Sequence, residues 1–282
     1  MSGEIFEKAE TDSGAVYLRL ADLENRYPVR TFFSTRNGGV SSGAYASLNM
    51  GFSTGDDRTN VEKNRRRIFD FIGEDGYCEA APHQVHGSDI VCVRIAERKT
   101  QNKERKAEEK RGAKLSFPDT DVLITDEKNV ILTSLHADCI PVWLYDPTQH
   151  AAGLAHAGWR GTAADIAAKT AERMCETFGS RREDLLAFIG PGIGRCCFEV
   201  GGEVVHAFEE LLGSRTESFY TDDRNGKYHL DLRGINRELL RRAGIENVFV
   251  TEYVTCCRTD LFYSHRRENG ITGRMCAGIV LL

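Results

Sequence analysis

Four short apolar segments follow one another between residues 121 and 155, and they constrain the fold more than any other feature of the sequence. They cover residues 121–125, 130–135, 141–145 and 151–155, and turn-forming residues bound each of them. Asp146 and Pro147, for example, predict a turn between the last two segments. Apolar runs of this length between turns are typical of β-strands. The middle of the chain therefore predicts several strands joined by short turns.

Helical patterns and further strands flank this central region. A helical period spans residues 161–178, and Gly179 is its predicted C-cap. Asp57 and Asn60 can cap a helix that continues to residue 69. The remaining predicted elements are strands at residues 29–35, 185–189, 248–251 and 276–281, and helices at residues 203–212 and 234–242. With no repeat and no linker, the pattern predicts an α+β fold of mixed β-sheets flanked by helices, in one large domain over residues 1–282.

Residues 97–114 differ in composition from the rest of the chain. Charged side chains fill most of this segment, basic ones outnumber acidic ones, and no apolar periodicity runs through it. A segment of this kind is usually solvated. We predict an insertion loop near residues 97–114; a basic flap over an anionic substrate is the alternative.

Charge and cysteine content indicate the class of protein. The formal net charge of -5 gives no electrostatic reason to expect nucleic acid or an anionic membrane as the main partner. The polar start of the chain has no signal-peptide pattern, and no apolar run is long enough to cross a bilayer. Nine cysteines without a secretion signal favour free thiols in a reducing compartment over a disulfide framework. We therefore expect a cytoplasmic enzyme without a nucleic-acid or membrane partner.

Three segments each place one side chain that can bind a soft or borderline metal next to small residues. They are Gln-Val-His-Gly with His86, Ala-Asp-Cys-Ile-Pro with Cys139, and His-Ala-Gly-Trp-Arg-Gly with His156. Two imidazoles and one thiolate suit Zn²⁺ or copper and leave a fourth position open, as in catalytic metal sites. His83 and His136 also have metal-like spacings to His86 and Cys139, so spacing alone does not choose among the five. For any one of them alone, a buried cysteine or a hydrogen-bonded histidine is the alternative.

These three segments resemble signatures of the laccase-domain, or polyphenol-oxidase-like, family. The same family pattern is matched by residues 35–41, 47–51, 190–194, 262–267 and 272–274, in order along the chain. The resemblance implies that His86, Cys139 and His156 are the metal ligands, and it gives His83 and His136 secondary or incidental roles. It also implies a fold like that of a deamidating bacterial toxin domain, the cytotoxic-necrotizing-factor-like fold.

The resemblance also implies an activity. The family implies a purine nucleoside phosphorylase for adenosine, inosine, guanosine and methylthioadenosine, with adenosine deaminase activity; its older name implies a copper-dependent polyphenol oxidase. No His-x-His pair, from which multicopper clusters are built, occurs among the eight histidines. We therefore predict Zn²⁺ as the cofactor, with Cu²⁺ as the alternative. A cysteine hydrolase that uses Cys139 and His156 as a thiolate–imidazole pair is a further alternative.

Deamination requires an activated water and a carboxylate that moves protons. Asp138, beside Cys139, is the nearest carboxylate in sequence. We predict Cys139 and Asp138 as catalytic residues; a structural carboxylate bound to backbone amides is the alternative for Asp138.

Phosphorolysis requires cations that bind phosphate and stabilise developing charge. The segments that resemble the family supply Arg36, Arg160, His265 and Arg266, and arginine binds phosphate in a bidentate manner. We predict a catalytic role for Arg160 and substrate or phosphate binding by Arg36, Asn49, His265 and Arg266. A structural or surface role is the alternative for each arginine. Purine nucleosides and phosphate are the predicted small-molecule partners.

Overall fold

A seven-stranded sheet places strands from both ends of the chain side by side. The computed structural model describes residues 4–70, 77–95 and 113–282. In spatial order the strands are β1 (Glu7–Glu10), β2 (Val16–Arg19), β3 (Val29–Ser34), β16 (Met275–Leu281), β8 (Val130–His136), β4 (Cys78–Pro82) and β6 (Ala113–Phe117). Strand β4 is parallel to both β6 and β8, whereas the other neighbours are antiparallel. The sheet is therefore mixed, as the sequence predicts.

A second, six-stranded sheet contains most of the central apolar segments. Its order is β15 (Asn247–Val250), β11 (Leu186–Ile189), β9 (Ile140–Asp146), β10 (Ala151–Ala157), β7 (Val122–Thr125) and β5 (Ile90–Cys92). The pairs β11–β15 and β5–β7 are parallel, and the others are antiparallel. A small antiparallel sheet is formed by β12 (Glu199–Gly201), β14 (Lys227–Leu230) and β13 (Tyr220–Asp222).

Helices form at all four places where the sequence predicts a helical pattern, one of them broken in two, whereas the short first helix was not predicted. The helices are α1 (Ala21–Arg26), α2 (Arg58–Phe69), α3 (Trp159–Ala163), α4 (Ile166–Phe178), α5 (Gly202–Leu212) and α6 (Leu232–Arg242). The side chain of Asp57 caps α2, and Gly179 ends α4 in the left-handed conformation, as predicted. A continuous helix over residues 161–178 is wrong, because Asp165 adopts a left-handed φ of 60° that separates α3 from α4. Aspartate is one of the few residues that tolerate this conformation.

Alternating side chains of the two large sheets build a structure of four layers. Trp143 of β9 and Phe33 of β3 lie in one apolar core between the two sheets. Val142, the neighbour of Trp143, faces the other way and packs in a second core with Ile235 of α6. On the outer face of the seven-stranded sheet, Ile68 of α2 belongs to a third cluster. Side chains alternate along each strand, so both sheets bury their two faces. The predicted α+β fold with mixed sheets is confirmed.

The predicted charged insertion falls mainly on residues 97–112, which lie outside the described residues. Its last two residues, Ala113 and Lys114, belong to β6. Within the three described ranges, every helix is too short or too polar to span a membrane.

Candidate active site

The three predicted metal ligands converge at one end of the six-stranded sheet. The ligand atoms of His86, Cys139 and His156 all lie within 4.8 Å of one another. Cys139 directly precedes β9, and His156 lies near the end of β10, where the antiparallel register pairs it with Pro141. Two imidazole nitrogens and one thiolate sulfur at this separation fit a Zn²⁺ or copper ion.

The loop that carries His86 is held by a buried carboxylate. His86 has a left-handed φ of 61°, which is uncommon for a residue other than glycine. The carboxylate of Asp121 accepts hydrogen bonds from three successive backbone amides, those of Val85 at 3.0 Å, His86 at 3.1 Å and Gly87 at 2.8 Å. Successive amides that point at one anion form a stable concave site. Asp121 thus fixes the backbone that presents His86.

The same carboxylate orients the second imidazole. Nδ1 of His156 donates to Oδ1 of Asp121 at 2.8 Å, and both residues are buried. When the ring is neutral, this bond keeps the proton on Nδ1, so the lone pair of Nε2 is available to a metal. Asp121 was not singled out in the sequence, since only folding brings it to its partners 34–36 residues away in sequence.

Cys139 and His156 form a charged pair. Burial opposes ionisation of the thiol, but the charge of His156 and hydrogen bonds from both histidines lower the pKa of Cys139 to about 6. Burial likewise opposes protonation of His156, yet Cys139 and Asp121 raise its pKa to about 9. At neutral pH the metal-free pair is therefore a thiolate beside an imidazolium.

The other two candidate histidines differ in their surroundings. His136 is buried, with Nε2 at 2.7 Å from Oγ of Ser134 and Nδ1 at 3.1 Å from the carbonyl oxygen of Cys139. Both ring nitrogens are therefore engaged, and burial holds its pKa well below the usual value. His136 supports the backbone of Cys139. His83 is exposed and lines the cavity described below.

Close packing at Gly158 keeps the ligands together. A Cβ atom on this residue would lie 3.1 Å from Cδ2 of His86 and 3.2 Å from Sγ of Cys139. Glycine at this position lets two ligands from different loops approach each other.

A cavity of about 500 Å³ opens over the ligands. Its walls include the three predicted ligands together with three more predicted site residues, Asp138, His265 and Arg266. They also include Trp159, Phe198 and Arg274, which were not predicted as site residues from the sequence. Trp159 and Arg274 do lie in segments that resemble the family, so the motifs contained a signal for them. The cavity therefore combines a metal-type ligand set, aromatic surface and cationic groups.

The carboxylate of Asp138 is fully engaged by hydrogen bonds. Oδ1 accepts from Oγ1 of Thr255 at 2.6 Å, and Oδ2 accepts from Oγ of Ser264 at 2.9 Å and from the backbone amide of Arg266 at 2.7 Å. Asp138 also has a left-handed φ of 88° directly before Cys139. These contacts match the structural alternative for this residue, and its role in proton transfer stays a prediction.

Arg36 and Asn49 lie behind the cavity wall. Arg36 donates to the carbonyl oxygen of Ala46 at 3.2 Å and pairs with Glu268 at 3.3 Å. Asn49 is fully buried, and its Oδ1 accepts from the backbone amide of Arg274 at 2.9 Å. Neither residue is among the described residues that line the cavity. Their contacts stabilise the loops that carry lining residues.

The two remaining predicted arginines differ in position. Arg160 is exposed, with its guanidinium 4.3 Å from the ring centroid of Trp159, and it is not among the described lining residues. Arg266 lines the cavity and donates from Nη1 to the carbonyl oxygens of Cys197 at 3.3 Å and Glu199 at 2.9 Å. The structure therefore brings Arg266, but not Arg160, to the cavity.

A known protein family matches the part of the chain that forms this site. The family model described as multi-copper polyphenol oxidoreductase laccase matches residues 30–282. This chain belongs to that family. The matched range contains all three metal-type ligands and the described lining residues of the cavity. The resemblance noted in the sequence is confirmed.

Several proteins with sequences similar to this chain are named purine nucleoside phosphorylases. Purine nucleoside phosphorylase YlmD of Geobacillus stearothermophilus is 38% identical over 257 residues, 87% of this chain and 88% of the relative. Purine nucleoside phosphorylase YfiH of Escherichia coli is 32% identical over 252 residues, 88% of this chain and 92% of the relative. The crystal structure of YlmD from Geobacillus stearothermophilus superposes with a TM-score of 0.86 at 36% identity, and it covers 99% of both chains.

Proposed function

We propose that this chain is a zinc-dependent purine nucleoside phosphorylase for adenosine, inosine, guanosine and methylthioadenosine, with adenosine deaminase activity. One observation carries the proposal: the His86, Cys139 and His156 set opens onto a cavity that also presents aromatic rings and arginines. The names of the relatives support the same substrate class.

The metal-binding part of the proposal depends on the protonation and orientation of the three ligands. Cys139 and the two histidines would hold Zn²⁺, which would supply Lewis-acid and charge stabilisation in the open coordination position. Asp121 keeps the proton of His156 on Nδ1, and it also fixes the amides of residues 85–87. Asp121 would therefore preorganise the ligands without being one of the three.

The cavity walls supply the two other elements that phosphorolysis needs. Trp159 and Phe198 offer ring faces for stacking of a purine. Arg266, Arg274 and His265 supply donors for phosphate, an oxygen of which forms a bond to C1′ of the ribose as the bond from C1′ to the purine nitrogen breaks. Arg274 is half-buried and interacts electrostatically with Cys139, which places its charge close to the ligand set.

The activity itself is tested by product analysis. Purified zinc-loaded protein is incubated with inosine or adenosine, with and without phosphate, and the products are separated by chromatography. We expect free base and ribose 1-phosphate only when phosphate is present, and inosine from adenosine without it. If zinc-loaded protein releases no base from inosine at high phosphate concentration, the phosphorylase proposal is wrong.

Replacing Arg274 with glutamine is expected to raise the KM for phosphate about tenfold or more, while the KM for inosine changes less. A hydrogen bond to a charged group contributes about 1.5–3 kcal/mol, and about 1.4 kcal/mol corresponds to tenfold in affinity. Steady-state kinetics with each substrate varied in turn measures the effect. Arg173→Gln is the matched control, because Arg173 is an exposed residue of α4 paired with Glu176. Equal increases of both KM values in Arg274→Gln would contradict phosphate binding.

Zinc affinity is expected to rise with pH between about 6 and about 9. In this range the Cys139–His156 pair retains one proton, which His156 must release before its nitrogen can bind a metal. Below pH of about 6 the thiol also binds a proton, so affinity should fall more steeply there. Calorimetry at neutral pH in buffers with different ionisation enthalpies counts the protons released. Zinc affinity that does not change across this range would contradict the assignment of the pair.

A cysteine hydrolase is the second candidate, and one observation favours it. The site contains a carboxylate–imidazole–thiolate triad. Asp121 orients the ring of His156, which lies beside Cys139, a thiol of lowered pKa. Metal content separates the two proposals. Stoichiometric zinc that protects Cys139 from alkylation supports the phosphorylase, whereas metal-free protein with a rapidly alkylated Cys139 supports the hydrolase. Bound copper would instead support the oxidase chemistry implied by the family's descriptive name.

A further inference from the structure

Three thiols outside the candidate active-site ligand set meet at one point of the surface. Cys196 and Cys197 lie in a turn that leads to β12, and Cys257 lies in a turn after β15. The sulfur atoms are 3.5 Å apart for Cys196–Cys197, 3.4 Å for Cys196–Cys257 and 3.5 Å for Cys197–Cys257. Two segments separated by about sixty residues in sequence therefore build a nearly equilateral triangle of sulfur atoms.

The backbone holds the two turns in register. The amide of Thr255 donates to the carbonyl oxygen of Gly192 at 3.0 Å, and a parallel bridge joins Gly192 to Val254. Within the turns, the amide of Cys197 donates to the carbonyl of Gly194 at 3.0 Å and that of Cys257 to Val254 at 3.2 Å. Backbone hydrogen bonds therefore hold together the two turns that carry the three cysteines.

The spacing matches a metal–thiolate site better than a disulfide. A disulfide would bring two sulfur atoms to about 2.05 Å and would exclude the third from the bond. Around a tetrahedral zinc with bonds of about 2.3 Å, sulfur atoms lie about 3.8 Å apart. The observed separations of 3.4–3.5 Å come within a few tenths of an ångström of that value.

Charge and exposure around the thiols agree with a metal site. Three thiolates with one divalent ion carry a net charge of -1, and two arginines lie close enough to offset it. Arg233 interacts electrostatically with Cys196 and Cys257, and Arg267 interacts with Cys257. Cys196 and Cys257 are exposed, so an ion can enter from solvent and water can complete the coordination. Thiolate ligands select soft and borderline metals over Mg²⁺ or Ca²⁺.

We propose that Cys196, Cys197 and Cys257 form a second zinc site with three thiolate ligands and one open position. Its position suggests what it would do for the fold. Phe198, which lines the active-site cavity, directly follows Cys197, and Thr255 donates to the carboxylate of Asp138. A metal at the triangle would fix the two turns that form this side of the cavity.

Metal counting with matched variants tests the proposal. Each protein is loaded with Zn²⁺ under a phosphine reductant, dialysed against a weak chelator and analysed by mass spectrometry of the metal. We expect about two zinc ions per chain in the unmodified protein and in the control Cys175→Ser. We expect about one in Cys139→Ser and about one in the Cys196→Ser/Cys257→Ser double variant. The proposal is overturned if the double variant retains the metal content of the unmodified protein, or if Cys139→Ser retains none.

Two further measurements do not depend on activity, and the second uses only the unmodified protein. In Cys139→Ser loaded with Co²⁺, absorption from thiolate-to-cobalt charge transfer should have the intensity of three thiolates. In the unmodified protein, zinc should protect Cys196, Cys197 and Cys257 from iodoacetamide, as peptide mass spectrometry can measure. If these three cysteines are alkylated equally fast with and without zinc, or if two of them form a disulfide that persists in the reductant, the proposal is wrong.

Discussion

Cys139→Ala is expected to remove about one zinc ion per chain and to lower kcat/KM for inosine phosphorolysis at least about 100-fold. Cys139 is the only thiolate among the described residues of the active-site ligand set, and both imidazoles form hydrogen bonds to it. Charge stabilisation by a catalytic metal contributes several kcal/mol, and about 1.4 kcal/mol corresponds to tenfold in rate. Metal analysis and steady-state kinetics measure the two effects.

The matched control for this experiment is Cys175→Ala. Cys175 lies on α4 and belongs neither to the His86, Cys139 and His156 set nor to the three clustered thiols at the surface. This variant should therefore keep both its metal and its activity. His86→Ala and His156→Ala should reproduce the loss, because each removes one imidazole of the same set. Metal content and activity at the unmodified level in Cys139→Ala would show that the three residues do not form the catalytic site.

The central strands were predictable because nearly all of their side chains are buried and most of them are apolar. Strands β7 to β10 have nearly all of their residues buried, and they appear in the sequence as apolar runs between turns. Strands β1 and β13 were missed for the opposite reason. They are short and polar, most of their residues are exposed, and they lie at sheet edges. Only pairing with a neighbour identifies such strands, and pairing is not visible in local sequence.

The clustering of His86, Cys139 and His156 was predictable from motifs but not from spacing. His136 is three residues from Cys139, an interval that suits metal binding, yet both of its ring nitrogens have other partners. The family pattern separates His136 from His156, whereas residue spacing does not. Asp121 illustrates the limit of both approaches. It lies at the start of a predicted strand, and only the fold shows that it contacts the loop of His86 and the ring of His156.

Motifs also do not show which of the predicted phosphate-binding residues reach the cavity. Arg36 and Arg266 both occur in segments that resemble family motifs, and sequence alone treats them alike. In the structure Arg36 contacts backbone carbonyls and Glu268, whereas Arg266 lines the cavity. A residue in a family motif can therefore stabilise the loop next to a site without entering the site. Arg274, which does line the cavity, adjoins the buried side chain of Asn49 through its backbone amide.

Asp121→Asn is expected to weaken zinc binding about 10–100-fold, the usual effect of removing a group that orients metal ligands. The carboxylate accepts four N–H groups, from Val85, His86, Gly87 and Nδ1 of His156. An asparagine of the same size has one acceptor oxygen, and its NH₂ group would face N–H donors inside a buried site. Competition with a chromophoric chelator measures the affinity.

Asp119→Asn is the matched control, since it makes the same chemical change at an exposed position two residues away, in a left-handed conformation that asparagine also tolerates. Its zinc affinity should equal that of the unmodified protein. Each variant is also saturated with Co²⁺, and its spectrum is recorded. This experiment separates a lower folding stability of the protein from a changed orientation of the metal ligands. Misoriented imidazoles change the ligand-field spectrum even when the metal is fully bound, whereas lower stability alone leaves that spectrum unchanged. If Asp121→Asn binds zinc as tightly as the unmodified protein and gives the same cobalt spectrum, Asp121 does not position the ligands, and its four hydrogen bonds serve only the fold of the loop.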